Sequence, residues 1–305
     1  MGQRPSQPLD NERRESKFTA PAALEDNDSG YPPFTPRGVA SFSQTKWSRL
    51  FLWQIGVASA IGCSVMLLLV QHWAPVLNQA IKKLPDEGGL NQGRLRWPEN
   101  HTGELASNQF LKIIVNPSGQ QQNNDADLQI ELRRESWVLG SKLGFNVELS
   151  YLLENFRIDR SIQIPWWGSR QPFLFIGISS SVGLAYIIAS LFLGFLGIWP
   201  SKVVTFFSER QSDFGSLWRL ATAVWLLPGA LLAVGTLCYV FNLLIFLKLL
   251  ILTLFCLLIG SFYLFTSPFF LPRAIHSEAN PFDPEEAQAD LEREENTSDS
   301  DNPFD

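Results

Sequence analysis

The sequence predicts a membrane α-helical bundle of four transmembrane helices, with an inserted small antiparallel β-domain and disordered termini. Three observations carry that prediction. The chain has 305 residues, of which 46% are hydrophobic and 18% charged, and these averages hide a sharp partition between polar segments and apolar blocks. One block runs over Leu50 to Val70, and a second fills most of Pro172 to Pro272, with its charges confined to the connector Lys202 to Arg219 and to Lys248. Blocks of roughly 20 residues without charge match the thickness of a bilayer core. The third observation is the intervening stretch, Gln71 to Gly168, which is polar and patterned as strands.

Residues 1–45 mix Pro, Ser, Asn and both signs of charge without an apolar period, the composition of a disordered segment. The first transmembrane helix is placed at 46–72. Lys46, Trp47 and Arg49 precede its apolar core and Trp73 follows it, as anchors at the two interfaces. A polar segment precedes it and no clean cleavage site follows, so it reads as a retained signal anchor. Gly56, Ala60 and Ser64 are spaced four apart and are expected to form a helix-packing face.

Residues 73–168 are assigned to an extracytoplasmic β-rich domain. Leu128, Ile130 and Leu132 alternate with Gln129, Glu131 and Arg133, the period of a strand. Segments 110–115, 137–139, 147–151 and 161–164 are expected as its neighbours, and Asn116-Pro117-Ser118-Gly119 signals a turn that the polar residues up to Asp125 lengthen into a loop. Asp125 and Asp127 read as loop residues and not as calcium ligands, because neither a turn glycine nor a bidentate glutamate follows.

A three-helix transmembrane block is assigned to 169–272, with spans at 172–199, 220–240 and 243–268. Gly177, Ser181, Ala185 and Ala189 repeat every four residues and are expected to form a second helix-packing face. The connector between the second and third spans is expected to lie along the membrane surface. Pro228 in the third span is expected to kink it. Lys248, near the turn at Asn242, reads as a snorkelling anchor.

The tail, 273–305, is acidic and expected to be disordered. Within it Asn280-Pro281-Phe282-Asp283 recurs as Asn302-Pro303-Phe304-Asp305. Asn-Pro pre-forms a turn that presents one phenylalanine, so these eight residues are the candidate partner-binding site.

The net charge of -6 comes mostly from the tail and offers nucleic acid no basic surface. The three cysteines, Cys63, Cys238 and Cys256, lie in apolar blocks, where a thiol behaves as a small hydrophobe. The apolar cores of the spans hold no Asp, Glu or His, and the three histidines are scattered. No nucleophile with a base, metal-ligand spacing or phosphate loop is present, so no catalytic, cofactor-binding or metal residues are assigned and no cofactor is expected. Lys/Arg counting gives little contrast between the two sides, and because a long folded loop translocates largely regardless of charge both termini are expected in the cytoplasm, in a bacterial inner (plasma) membrane.

The segment Asp213-Phe214-Gly215-Ser216-Leu217-Trp218-Arg219-Leu220, followed by Leu227-Pro228-Gly229, resembles the Yip1-like superfamily of multipass membrane proteins over about residues 172–270. This chain has three spans in that block, where the superfamily usually has five. The resemblance implies a non-enzymatic, membrane-organising adaptor. Partners are expected to be the lipid bilayer and other proteins. The function expected is therefore a scaffold, assembly or adaptor factor binding through the β-domain and the tail. The alternatives are a small transporter or permease subunit with a path lined by Ser179 to Ser181 and Pro228, or a sensor with an extracytoplasmic ligand domain.

Overall fold

The computed structural model describes residues 34–119, 125–210 and 212–272. The tail motifs at 280–283 and 302–305, and the segments 1–33 and 273–305, lie outside the described residues.

Among the described residues, four helices are long and apolar enough to cross a membrane: Trp47–Lys82, Arg160–Phe207, Phe214–Val240 and Phe246–Phe270. A short helix α1 (Pro36–Ser41), capped by the Thr35 hydroxyl, leads into α2 (Trp47–Leu68). At Leu69–Trp73 the helix widens into a π turn before continuing as α3 (Ala74–Lys82). Pro75 cannot donate to the carbonyl four residues back, and the wider turn takes up the mismatch. The helix therefore runs on past the apolar core and ends under the β-domain.

The β-domain contains two sheets. β1 (Gly89–Asn91) sits between β2 (Arg94–Arg96) and β8 (Phe156–Arg157). The larger sheet has the order β3 (Gly103–Ser107), β4 (Leu111–Val115), β5 (Leu128–Leu132), β6 (Ser136–Ser141), β7 (Asn146–Ser150). It is mixed, where an antiparallel sheet was expected: β4 and β5 run parallel, with Leu111 opposite Leu128 and Val115 opposite Leu132. The cause is the loop 116–127. A crossover of about a dozen residues is what a parallel return requires, and this loop is long enough to bring the chain back to the foot of β4. Helix α3 packs Val76 and Ala80 against Leu105, Leu111, Ile113 and Val115. The opposite face also buries groups, for Glu131 accepts hydrogen bonds from Asn116 Nδ2 at 2.8 Å and Arg133 Nε at 3.0 Å.

Segment 161–164, expected as a strand, belongs to the first turns of α4 (Arg160–Phe207). Its period of two is only four residues long, and it continues a 48-residue helix whose propagation dominates so short a pattern. The same helix overturns the surface-lying connector. It continues through Pro200 to Phe207, and the chain reverses within residues 208–213 before Asp213 and Ser216 form a reciprocal cap on α5 (Phe214–Ala223).

Pro228 lies in the first turn of α6 (Leu226–Val240), and a turn at Val224 and Trp225 separates α5 from α6. That break falls where the missing proline N–H leaves the Val224 carbonyl without its helical donor. Asn242 turns the chain in a left-handed conformation, φ 59°, and α7 (Phe246–Thr266) returns along the bundle, ending in a 3-10 turn at Ser267–Phe270. α1, α5 and this last turn meet at the end of the bundle opposite the β-domain, where the Tyr263 hydroxyl donates to Phe34 O.

Candidate functional site

Most of the residues expected to form packing faces do not pack within the chain. Gly56 and Ala60 are exposed, and a side chain added at Gly56 would meet nothing within 4 Å. Ser64 alone of that trio is buried, donating to Ala60 O at 2.8 Å and Ala233 O at 3.2 Å. Gly177, Ser181, Ala185 and Ala189 are all exposed on α4. The face of α4 that packs is instead Ser179, Gly183, Ser190, Gly194, Gly197 and Ser201. There a Cβ at Gly183 would stand 3.0 Å from Ala58 O, and one at Gly194 would run into Thr222. Two interleaved small-residue rows exist on this helix, and spacing alone does not distinguish them.

Between these close contacts lies a polar centre built on an uncharged side chain, Gln54. Gln54, 1% exposed, donates through Nε2 to Thr222 O at 3.2 Å and accepts from Ser190 Oγ at 3.2 Å. Beside it Tyr186 donates to Trp225 O at 2.9 Å. An apolar fissure of about 120 Å³ between α4, α6 and α7 is lined by Tyr186, Ser190, Trp225 and Pro228. Ser179 to Ser181 do not line it. Ser179 is buried, with its hydroxyl 3.7 Å from Met66 Sδ, and Ser180 and Ser181 face outward.

The β-domain is clamped to the bundle by residues from four separate segments. The Phe110 ring, at the foot of β4, lies between His72 at 3.9 Å and Tyr239 at 4.9 Å. His72 Nε2 donates to Val240 O at 2.7 Å, and its own carbonyl accepts from Asn108 Nδ2 at 2.7 Å. The Tyr239 hydroxyl donates to Asp127 Oδ2 at 2.7 Å, and Gln109 Nε2 donates to Asn242 Oδ1. Asp127 is thus a structural acceptor and not a free loop carboxylate. A cavity of about 350 Å³ opens beside the clamp, bordered by Lys142, Leu143 and the start of α7.

Beyond the clamp the domain carries a chain-contiguous set of exposed apolar side chains. Phe145 is 71% exposed, Val147 53%, Leu149 39%, Leu152 98% and Leu153 55%, with Phe156 exposed behind them. A water-soluble surface seldom leaves so many large apolar groups together, and such a patch marks an interaction surface. Helix α3 covers the apolar face of the sheet over β3 and β4, and β6 and β7 extend beyond it. Alternation in 147–151 announced the strand, but not that its apolar side would stay uncovered.

The segment that carries the superfamily resemblance closes the other end of the bundle. Trp218 stacks edge-on against Trp47 at 5.1 Å. Arg219 spreads its two terminal nitrogens onto Thr45 O at 2.8 Å and Ser43 O at 2.7 Å, holding the entry to α2. No protein-family model, curated protein or solved structure matches the chain.

Proposed function

We propose that the chain is a non-enzymatic integral membrane adaptor, a scaffold or assembly factor that holds its β-domain at one face of a membrane and captures a protein partner there. The bundle would sit in a bacterial inner membrane with both termini cytoplasmic and the β-domain periplasmic. The observation that carries this reading is the exposed apolar series from Phe145 to Phe156, on a domain that His72, Phe110, Tyr239 and Asp127 fix to the bundle. A domain held rigidly at a defined height presents its surface without a further ordering cost, which favours capture. The repeated Asn-Pro-Phe-Asp tail would supply a second contact on the cytoplasmic side, and the resemblance to Yip1-like proteins points the same way.

The test is co-purification from native membranes in mild detergent. Wild type is compared with a Leu152→Asp, Leu153→Asp variant and with a Phe282→Ala, Phe304→Ala variant. The expected result is one set of proteins lost from the first variant and another from the second. Identical lists from all three would overturn the adaptor reading, and substrate flux in liposomes would then distinguish a transporter subunit.

A further inference from the structure

Strand β7 is an open edge. It lies last in the order β3-β4-β5-β6-β7, and all five of its residues are exposed. Ser141 N donates to Phe145 O at 2.8 Å at the hairpin, and the register then pairs Leu139 with Val147 and Trp137 with Leu149. Main-chain bonding in an antiparallel ladder alternates by residue. Val147 and Leu149 therefore direct their N–H and C=O groups at β6, and Asn146, Glu148 and Ser150 direct theirs outward. Native edges are normally blunted by proline, a bulge, charged side chains or a covering element, and among the described residues β7 has only the single charge of Glu148.

A row of outward N–H and C=O groups at strand spacing is matched by another polypeptide strand and not by lipid, which offers no such periodic donors. Two internal candidates are excluded by geometry. The undescribed ends of the chain leave at Phe34 and Pro272, at the end of the bundle away from the β-domain, so neither reaches β7 without crossing a hydrocarbon core of about 30 Å. A second copy fails on symmetry. The β6–β7 hairpin tip, Lys142 and Leu143, borders the α6–α7 turn, and the Ser136 and Ser150 ends point away from the bundle. Antiparallel self-pairing needs a two-fold axis across the strands, and that axis would turn the partner's bundle upside down in the membrane.

We propose that β7 accepts an extended segment of a different protein, on the β-domain side of the membrane, as a sixth strand of the sheet. This rests on the adaptor reading and names how the partner is held. Its chemistry follows from the edge. Apolar residues at alternate positions continue the layer formed by Trp137, Leu139, Val147 and Leu149, and polar residues between them lie beside Glu148, whose carboxylate accepts from the Ser136 hydroxyl on β6.

The experiment uses the full chain in nanodiscs and a synthetic peptide that alternates valine with lysine and threonine. Amide exchange at single-residue resolution is followed on titration. The expected result is saturable protection at Asn146, Glu148 and Ser150, with Val147 and Leu149 unchanged. Glu148→Pro removes one outward N–H and leaves the main-chain ladder to β6 in place while losing the side-chain contact with Ser136, and is expected to weaken binding at least tenfold. The same peptide N-methylated on its edge-facing amides is expected not to bind wild type, which guards against a folding defect in the variant. Equal binding of the methylated peptide, or no protection at the three outward amides, overturns strand addition. Loss of partners from the Leu152→Asp, Leu153→Asp variant in native membranes, together with a failed titration, would remove this inference and leave the adaptor reading standing.

Discussion

Gly194 and Gly177 lie on the same helix and demand opposite outcomes from the same substitution. At Gly194 the space for a Cβ is already held by Thr222, with its backbone Cα 2.9 Å away, whereas at Gly177 nothing stands within 4 Å. Gly194→Ala is expected to cost about 1–3 kcal/mol through overpacking. Gly177→Ala is expected to be neutral or to stabilise by up to about 1 kcal/mol through helix propensity. Thermal melting in detergent reads both, and equal effects would mean that the packing face is misassigned. Tyr151 gives a pH test in the β-domain. Its hydroxyl donates to Arg133 O at 2.7 Å, and burial raises its pKa from 10.0 to about 12. The unfolded chain therefore ionises first. The stabilisation is complete below pH 10, falls as pH rises, and is gone above about 12. Tyr151→Phe is expected to remove that part of the alkaline slope in a denaturation series; an unchanged slope would contradict it. At this scale the sequence was only partly legible. Charged residues announce themselves inside an apolar block, but Gln54 does not, because an amide is tolerated there and only the structure supplies its partners, Ser190 and Thr222.

Among the elements, the clamp decides whether the β-domain moves with the bundle. Phe110 fills the space between His72 and Tyr239. Phe110→Ala is expected to cost about 3–5 kcal/mol as a buried aromatic truncation. The local signature is faster amide exchange at residues 108–111 and 238–242, with exchange in β6 and β7 unaffected. Uniform acceleration through the whole domain would mean that the clamp is part of the folding core and not a joint. The long apolar runs and the turn at Asn242 were readable because hydrophobic length and turn residues are local signals. The parallel β4–β5 pair was not, since strand direction is set by where the crossover loop lands. Nor was the extent of α4, whose end turns carry the mixed composition of a loop.

For the whole molecule, four crossings of the membrane would put the β-domain and the ends of the chain on opposite faces. The adaptor reading and the exclusion of self-pairing at β7 both depend on this arrangement. Its most direct test is cysteine labelling in intact cells with a membrane-impermeant maleimide, on a background in which Cys63, Cys238 and Cys256 are replaced by serine. Single cysteines are introduced at Leu152, 98% exposed on the β-domain, and at Glu209, exposed in the turn between α4 and α5. Leu152→Cys is expected to label in intact cells and Glu209→Cys only after permeabilisation. Labelling of both from the same side would contradict the four-span arrangement, and the reverse pattern would place the β-domain in the cytoplasm.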